Sequence, residues 1–138
     1  DCEYATETAL HLLAKDLISK EKTFVIPELS GSVHFKGFTE RYDVIKRPIC
    51  IEINECLIER KVENFKPDLL IIHKGVKIAI EIAVTHFVDE AKRLKFEREG
   101  LSCIEIDLSK FDLHSEDNEG KLKHILIHES EFKSWIFN

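Results

Sequence analysis

Apolar and polar positions repeat along this chain with two different periods. Ala9, Leu10, Leu13, Ala14, Leu17 and Ile18 recur at about 100° per residue, which predicts a helix over residues 3–20. Beyond it the period falls to two. Residues 23–27 read as a strand, Ser30-Gly31-Ser32 as a loop, and the Val33/Phe35 alternation as a strand with one buried face. Residues 49–65 continue as one or two strands, with Ile49, Ile51 and Ile53 on one face and Cys50, Glu52 and Asn54 on the other. The strongest signal is PDLLIIHKGVKIAIEIAVTH, residues 67–86. Its two β-branched runs, 69–72 and 78–84, flank Lys74-Gly75 and predict a β-hairpin. A second helix is expected over 86–99, stopped by Gly100, with Phe87, Ala91 and Leu94 as its core face. The run 102–108 alternates as a strand, with Cys103, Glu105 and Asp107 opposite Ile104, Ile106 and Leu108. Strand, helix, strand in that order suits a parallel crossover. The tail reads as an acidic loop (114–120), a helix (121–128) and a last turn around Trp135. The predicted class is α/β, a mixed sheet flanked by helices.

Two acids break the apolar hairpin. Asp68 opens its first strand and Glu81 sits inside the second, between Ile80 and Ile82. An ionised carboxylate in such a strand is costly unless it is paired or bound to a metal. Two of them brought together across a hairpin suit a hard cation such as Mg²⁺. Alternation sets Glu81 on one face with Lys77, Ala79, Ala83 and Thr85.

In the first helix Glu7 falls between Ala14 and Ile18, and His11 and Lys15 follow at i+4. Either these three form a ladder at the surface edge, or Glu7 and His11 reach the carboxylates. His86, at the strand end, is either a helix-start histidine or a group that positions phosphate or water. Asp89 suits the start of the second helix electrostatically. His124 and His128, at i,i+4, lack a third ligand and are taken as surface residues.

The 138 residues are enough for one domain with its own core. They include no apolar stretch long enough to span a membrane and no signal-peptide pattern. The chain starts at Asp1 and lacks methionine, as expected of a domain cut from a longer protein; a homodimer or a multidomain chain both fit. Cys2, Cys50, Cys56 and Cys103 form no CxxC pair, and Cys50 and Cys103 sit in strand-like runs expected to bury them as free thiols. A reducing, cytoplasmic setting follows. The net charge of −6 argues against a broad nucleic-acid surface. Any DNA face would be local, and a bound divalent ion would offset the charge of the acidic site. Residues 36–47 do carry a basic excess, with Lys36, Arg41, Lys46 and Arg47 interleaved with Phe38 and Tyr42. That pattern can track a phosphate backbone or simply mark a strand.

Pro67-Asp68, a short spacer and Glu81-Ile82-Ala83 together resemble the PD-(D/E)XK nuclease superfamily. IEIAVTH…KRLKFEREGLSCIEIDLS is similar to the group related to competence protein CoiA, the likeness running from about Thr6 to Leu108. The resemblance implies a restriction-endonuclease-like αβββαβ core over roughly 3–108, with 109–138 as a helical extension. It also implies metal-dependent hydrolysis of DNA phosphodiesters. Asp68, Glu81 and the Ile82 carbonyl would hold Mg²⁺ or Mn²⁺, which lowers the pKa of an attacking water. The superfamily's lysine position is Ala83 here. Lys92, and next Lys95, flank Val88 on the following helix and are the candidates to replace it. Lys77 lies about 13 Å from Glu81 at roughly 3.3 Å per residue, which is too far. Two alternatives remain open: a catalytically inactive DNA-binding descendant, and an acidic protein–protein module using the apolar Trp135-Ile136-Phe137 tail.

Overall fold

The computed structural model describes residues 2–62 and 65–138; for residues 2–8 and 32–35 the description covers backbone only. The chain runs α1 (Cys2–Ser19), β1 (Thr23–Ile26), β2 (Leu29–Phe35), β3 (Phe38–Ile45), β4 (Ile49–Glu52), β5 (Glu55–Ile58), β6 (Leu69–His73), β7 (Val76–Ala83), α2 (Glu90–Glu99), β8 (Ser102–Asp107), α3 (Asn118–Ile127) and β9 (Lys133–Phe137). Five strands form a mixed sheet in the order β5-β6-β7-β8-β9, where β7 and β8 pair in parallel and every other pair is antiparallel. Strands β1 and β4 form a two-stranded sheet, and β2 and β3 another.

The period-two pattern of β7 and β8 divides the core. Ile78, Ile80, Ile82, Ile104 and Ile106 face Leu10, Ala14 and Ile18 of α1, Leu122 and Leu126 of α3, and Phe24 of β1. The opposite face carries Leu70, Ala79 and Cys103 against Phe96 of α2 and Phe65. The Phe65 and Phe96 rings meet edge to face, their centroids 4.9 Å apart. The β6–β7 hairpin closes through Lys74 and Gly75, with φ of 48° and 80°. Positive φ at both central residues is the signature of the type I′ turn, whose twist matches that of the strands.

Several expectations need correction. Ser30-Gly31-Ser32 is not a loop but lies inside β2. Gly31 is there because the Tyr42 ring crosses it from β3, and a Cβ would come within 2.4 Å of that ring. Strand β3 has no buried face: residues 38–44 are all exposed. The side chains of Val33 and Phe35 lie outside the described residues. Helix α2 begins at Glu90, not at 86, because the Asp89 carboxylate accepts the Lys92 N–H at 2.8 Å and caps the first turn. Gly100 ends α2 in the left-handed conformation, as expected. Its core face is Phe96, whereas Phe87, Ala91 and Leu94 are exposed. The turn around Trp135 is strand β9, so the tail adds a strand to the main sheet as well as a helix. Cys50 is exposed, while Cys103 is buried and Cys56 half-buried. Among the described residues no helix is long and apolar enough to cross a membrane.

Two polar bonds tie β9 to the small β1–β4 sheet. Lys133 donates from Nζ to the Val25 carbonyl at 2.7 Å, and Trp135 donates from Nε1 to the Pro27 carbonyl at 3.0 Å.

Candidate active site

Asp68 and Glu81 meet at the end of the β6–β7 ladder, one step beyond the Leu69–Ile80 pair. Asp68 shares the face of Leu70, and Glu81 that of Ala79, so both point to the α2 side of the sheet. They interlock through each other's strand. The Glu81 Oε2 accepts the Asp68 N–H at 2.7 Å, and the Asp68 Oδ2 accepts the Ile82 N–H at 2.8 Å. The Glu81 Oε1 takes an ion pair from Lys92 Nζ. Lys92 stands in the first turn of α2, and helical side chains lean toward the N-terminus. Its amine therefore hangs back over the strand ends and reaches Glu81, while Ala83, two residues on, is buried.

Burial raises the Glu81 pKa and the charge of Asp68 adds to it, while the bond to Lys92 offsets part of the rise. Burial also works against the charge on Lys92, but its bond to Glu81 and the negative charge of Glu81 and Asp68 outweigh that, so its pKa is raised as well. The shift disfavours the charge on Glu81 and favours that on Lys92, because Glu81 is nearly sealed, its side chain 4% exposed against 37% for Lys92.

These groups line a cleft of about 320 Å³ bounded by His11, Asp68, Glu81, Ile82, His86, Phe87, Val88, Asp89, Lys92 and Glu105. Of the residues singled out from the sequence, Asp68, Glu81, Ile82, His86, Lys92 and His11 are thus brought together. His86 Nδ1 lies 3.0 Å from Thr85 Oγ1. Lys95 is exposed and does not line the cleft. Lys15 does not continue a ladder with His11; it is buried and pairs with Glu59, tying α1 to the end of β5. The side chain of Glu7 lies outside the described residues. Lys36, Arg41, Lys46 and Arg47 are exposed on and beside the β2–β3 hairpin, away from the cleft lining.

Glu105 is the wall residue that sequence reasoning passed over. It lies beside Glu81 in the parallel β7–β8 register, is buried, and accepts the Val88 N–H at 2.6 Å. Burial raises its pKa. A larger hollow of about 680 Å³ lies between the end of β8 and α3, bounded among others by Phe111, Ile125 and Phe132, and is lined by none of Asp68, Glu81 and Glu105.

Among the described residues no group of three or more His, Cys, Asp or Glu side chains gathers at metal-binding spacing. The Asp68–Glu81 pair is nevertheless an all-oxygen donor set, suited to a hard cation. Its acids outnumber the single lysine, and Glu81 is held near Asp68 at an electrostatic cost that a shared cation would remove. Two carboxylates with a carbonyl and water are a sufficient set for Mg²⁺, which keeps several waters. No protein-family model, curated protein or solved structure matches the chain.

Proposed function

We propose that this domain is a metal-dependent nuclease of the PD-(D/E)XK kind, acting on DNA with Mg²⁺ or Mn²⁺. The observation that carries the reading is the convergence of Asp68 and Glu81 from the two arms of one hairpin with Lys92 from the next helix. The element order supports it: α1, then β5, β6, β7, α2 and β8, is the order of an αβββαβ core, with β1, β2, β3 and β4 inserted between α1 and β5 along the chain.

Asp68, Glu81 and the Ile82 carbonyl would hold the ion. When bound, it would polarise the phosphate and lower the pKa of the attacking water. The chain's own residues supply the rest. Lys92 stands in for the absent lysine at Ala83, placing a fixed positive charge where charge builds on the phosphate oxygens. The Asp68–Glu81 interlock holds both carboxylates in place through backbone N–H groups, so the site is assembled before substrate arrives. His86 and His11 line the same cleft, where either could meet a phosphate or a water.

Purified protein incubated with supercoiled plasmid and Mn²⁺ tests this. Wild type is expected to nick the plasmid, and Asp68→Asn, Glu81→Gln and Lys92→Met should each lose about 10²-fold or more. Cleavage that survives all three substitutions, or DNA binding with no cleavage by wild type, overturns the assignment.

A further inference from the structure

Strands β2 and β3 form a ribbon that belongs to neither of the other sheets. Among the described residues the two strands pack mainly on each other. At the tip, Lys36 and Gly37 have φ of 47° and 82°, a tight turn that leaves no loop to fold back. At the base, Ile45 is seated against the main core, and Tyr42 and Val44 border a groove with Trp135, Ile136 and Phe137. Every residue from Lys36 to Val44 is exposed. Charge is distributed unevenly: residues 36–47 hold four cations (Lys36, Arg41, Lys46, Arg47) against two acids (Glu40, Asp43), in a chain whose net charge is −6.

We propose that this ribbon is a groove-binding arm for double-stranded DNA, and that duplex rather than single-stranded DNA is the partner of this domain. The inference rests on the nucleic-acid reading above and adds the form of the substrate. A two-stranded ribbon fits the major groove, which is about 12 Å wide and accepts that element as readily as a helix. At about 3.3 Å per residue the strands reach roughly 25 Å, enough to follow a groove between its phosphate walls. The cations sit at the tip, along β3 and at the base, so contacts to phosphate would be spread along the arm instead of gathered at one point. Single strands are held differently, in a basic channel with aromatic platforms. An arm whose β3 strand is exposed from Phe38 to Val44 is a rod, not a channel. The acidic remainder of the surface repels phosphate and leaves the arm as the face that attracts it.

The test is fluorescence anisotropy in EDTA with a labelled 30-base-pair duplex and a single strand of equal length. The proteins compared are wild type, Asp68→Asn and the quadruple variant K36A/R41A/K46A/R47A. Wild type and Asp68→Asn are expected to bind duplex at least about tenfold tighter than single strand. The quadruple variant should lose between three and four units of the slope of log K against log salt, since each phosphate contact contributes about 0.9. A fourfold rise in salt should therefore weaken wild type roughly 10²-fold more than the variant. Circular dichroism checks that the variant, altered only at exposed positions, remains folded. Equal affinity for the two DNA forms, an unchanged salt slope, or no salt-dependent binding at all overturns the arm. Arm-dependent duplex binding without cleavage by wild type would refute the nuclease and leave the arm standing. Cleavage by wild type and the quadruple variant at equal KM would do the reverse.

Discussion

Lys133 is buried with no carboxylate in bonding range among the described residues; its amine donates to the Val25 carbonyl and lies 3.8 Å from the centre of the Phe24 ring. Burial depresses its pKa from 10.5 to about 7, against a small upward pull from Cys50 and Glu129. Between these two values the unfolded chain holds a proton that the native chain has released, so stability contributed by this group rises with pH across that window. At about 1.4 kcal/mol per unit, the charged amine costs the native state roughly 5 kcal/mol below about pH 7. Lys133→Met removes that cost while keeping the side-chain volume, but leaves the Val25 carbonyl without its donor, a loss of about 1–3 kcal/mol. The variant should therefore be about 2–4 kcal/mol more stable than wild type at about pH 6, and the advantage should vanish or reverse near pH 10. Urea unfolding of both proteins at matched pH measures the difference, and titrations elsewhere cancel in it. A gap that does not change with pH, or a variant less stable than wild type at about pH 6, would refute the assignment of Lys133 as a buried amine without a counter-charge.

Removing Lys92 should likewise tell more against the variant as pH rises, here through Glu81. In EDTA, Lys92→Met deepens the upward shift of Glu81, so its native state holds a proton above the ordinary value of 4.5 where the unfolded chain has lost it, and stability falls as pH rises. The variant should match wild type near pH 4 and be about 1–2 kcal/mol less stable near neutrality, the pair being partly screened by solvent. An equal difference at both ends would show that the ion pair contributes nothing. Phe96→Ala, which empties the α2 face of the sheet, should cost about 3–5 kcal/mol in chemical denaturation. Asp89→Ala should cost about 1 kcal/mol by loss of the helix cap, and a change under a few tenths would show the cap to be replaceable.

The hairpin and its two acids were legible in the sequence because their signals are local: a proline–aspartate entry, a lysine–glycine turn and strict alternation of isoleucines. Lys92 was singled out for flanking Val88 on a helical wheel, and it does reach Glu81, although Val88 lies before the helix start. Glu105 was not, since only the parallel pairing of β7 with β8 sets it beside Glu81. A trace of that pairing is visible in retrospect. The triplet Ile-Glu-Ile occurs at 51–53, 80–82 and 104–106, and the last two copies align in register. The core face of α2 was misread because one residue, Phe96, does its packing, too few to set a helical period. Gly31 read as a loop breaker because its partner is a ring from another strand, and β9 was missed because its one buried position is a lysine.

The arm leaves the β1–β4 ladder just after Ile26 and returns just before Ile49, and these two residues are partners in that ladder. Its two roots therefore lie side by side, and a two-residue Asn-Gly turn could join them at a lower loop-closure cost. Ile45 is the arm's contribution to the main core among the described residues. The ribbon thus has the character of a cassette: it can be cut out or exchanged for another of different sequence while the acids and Lys92, built on separate elements, keep their positions.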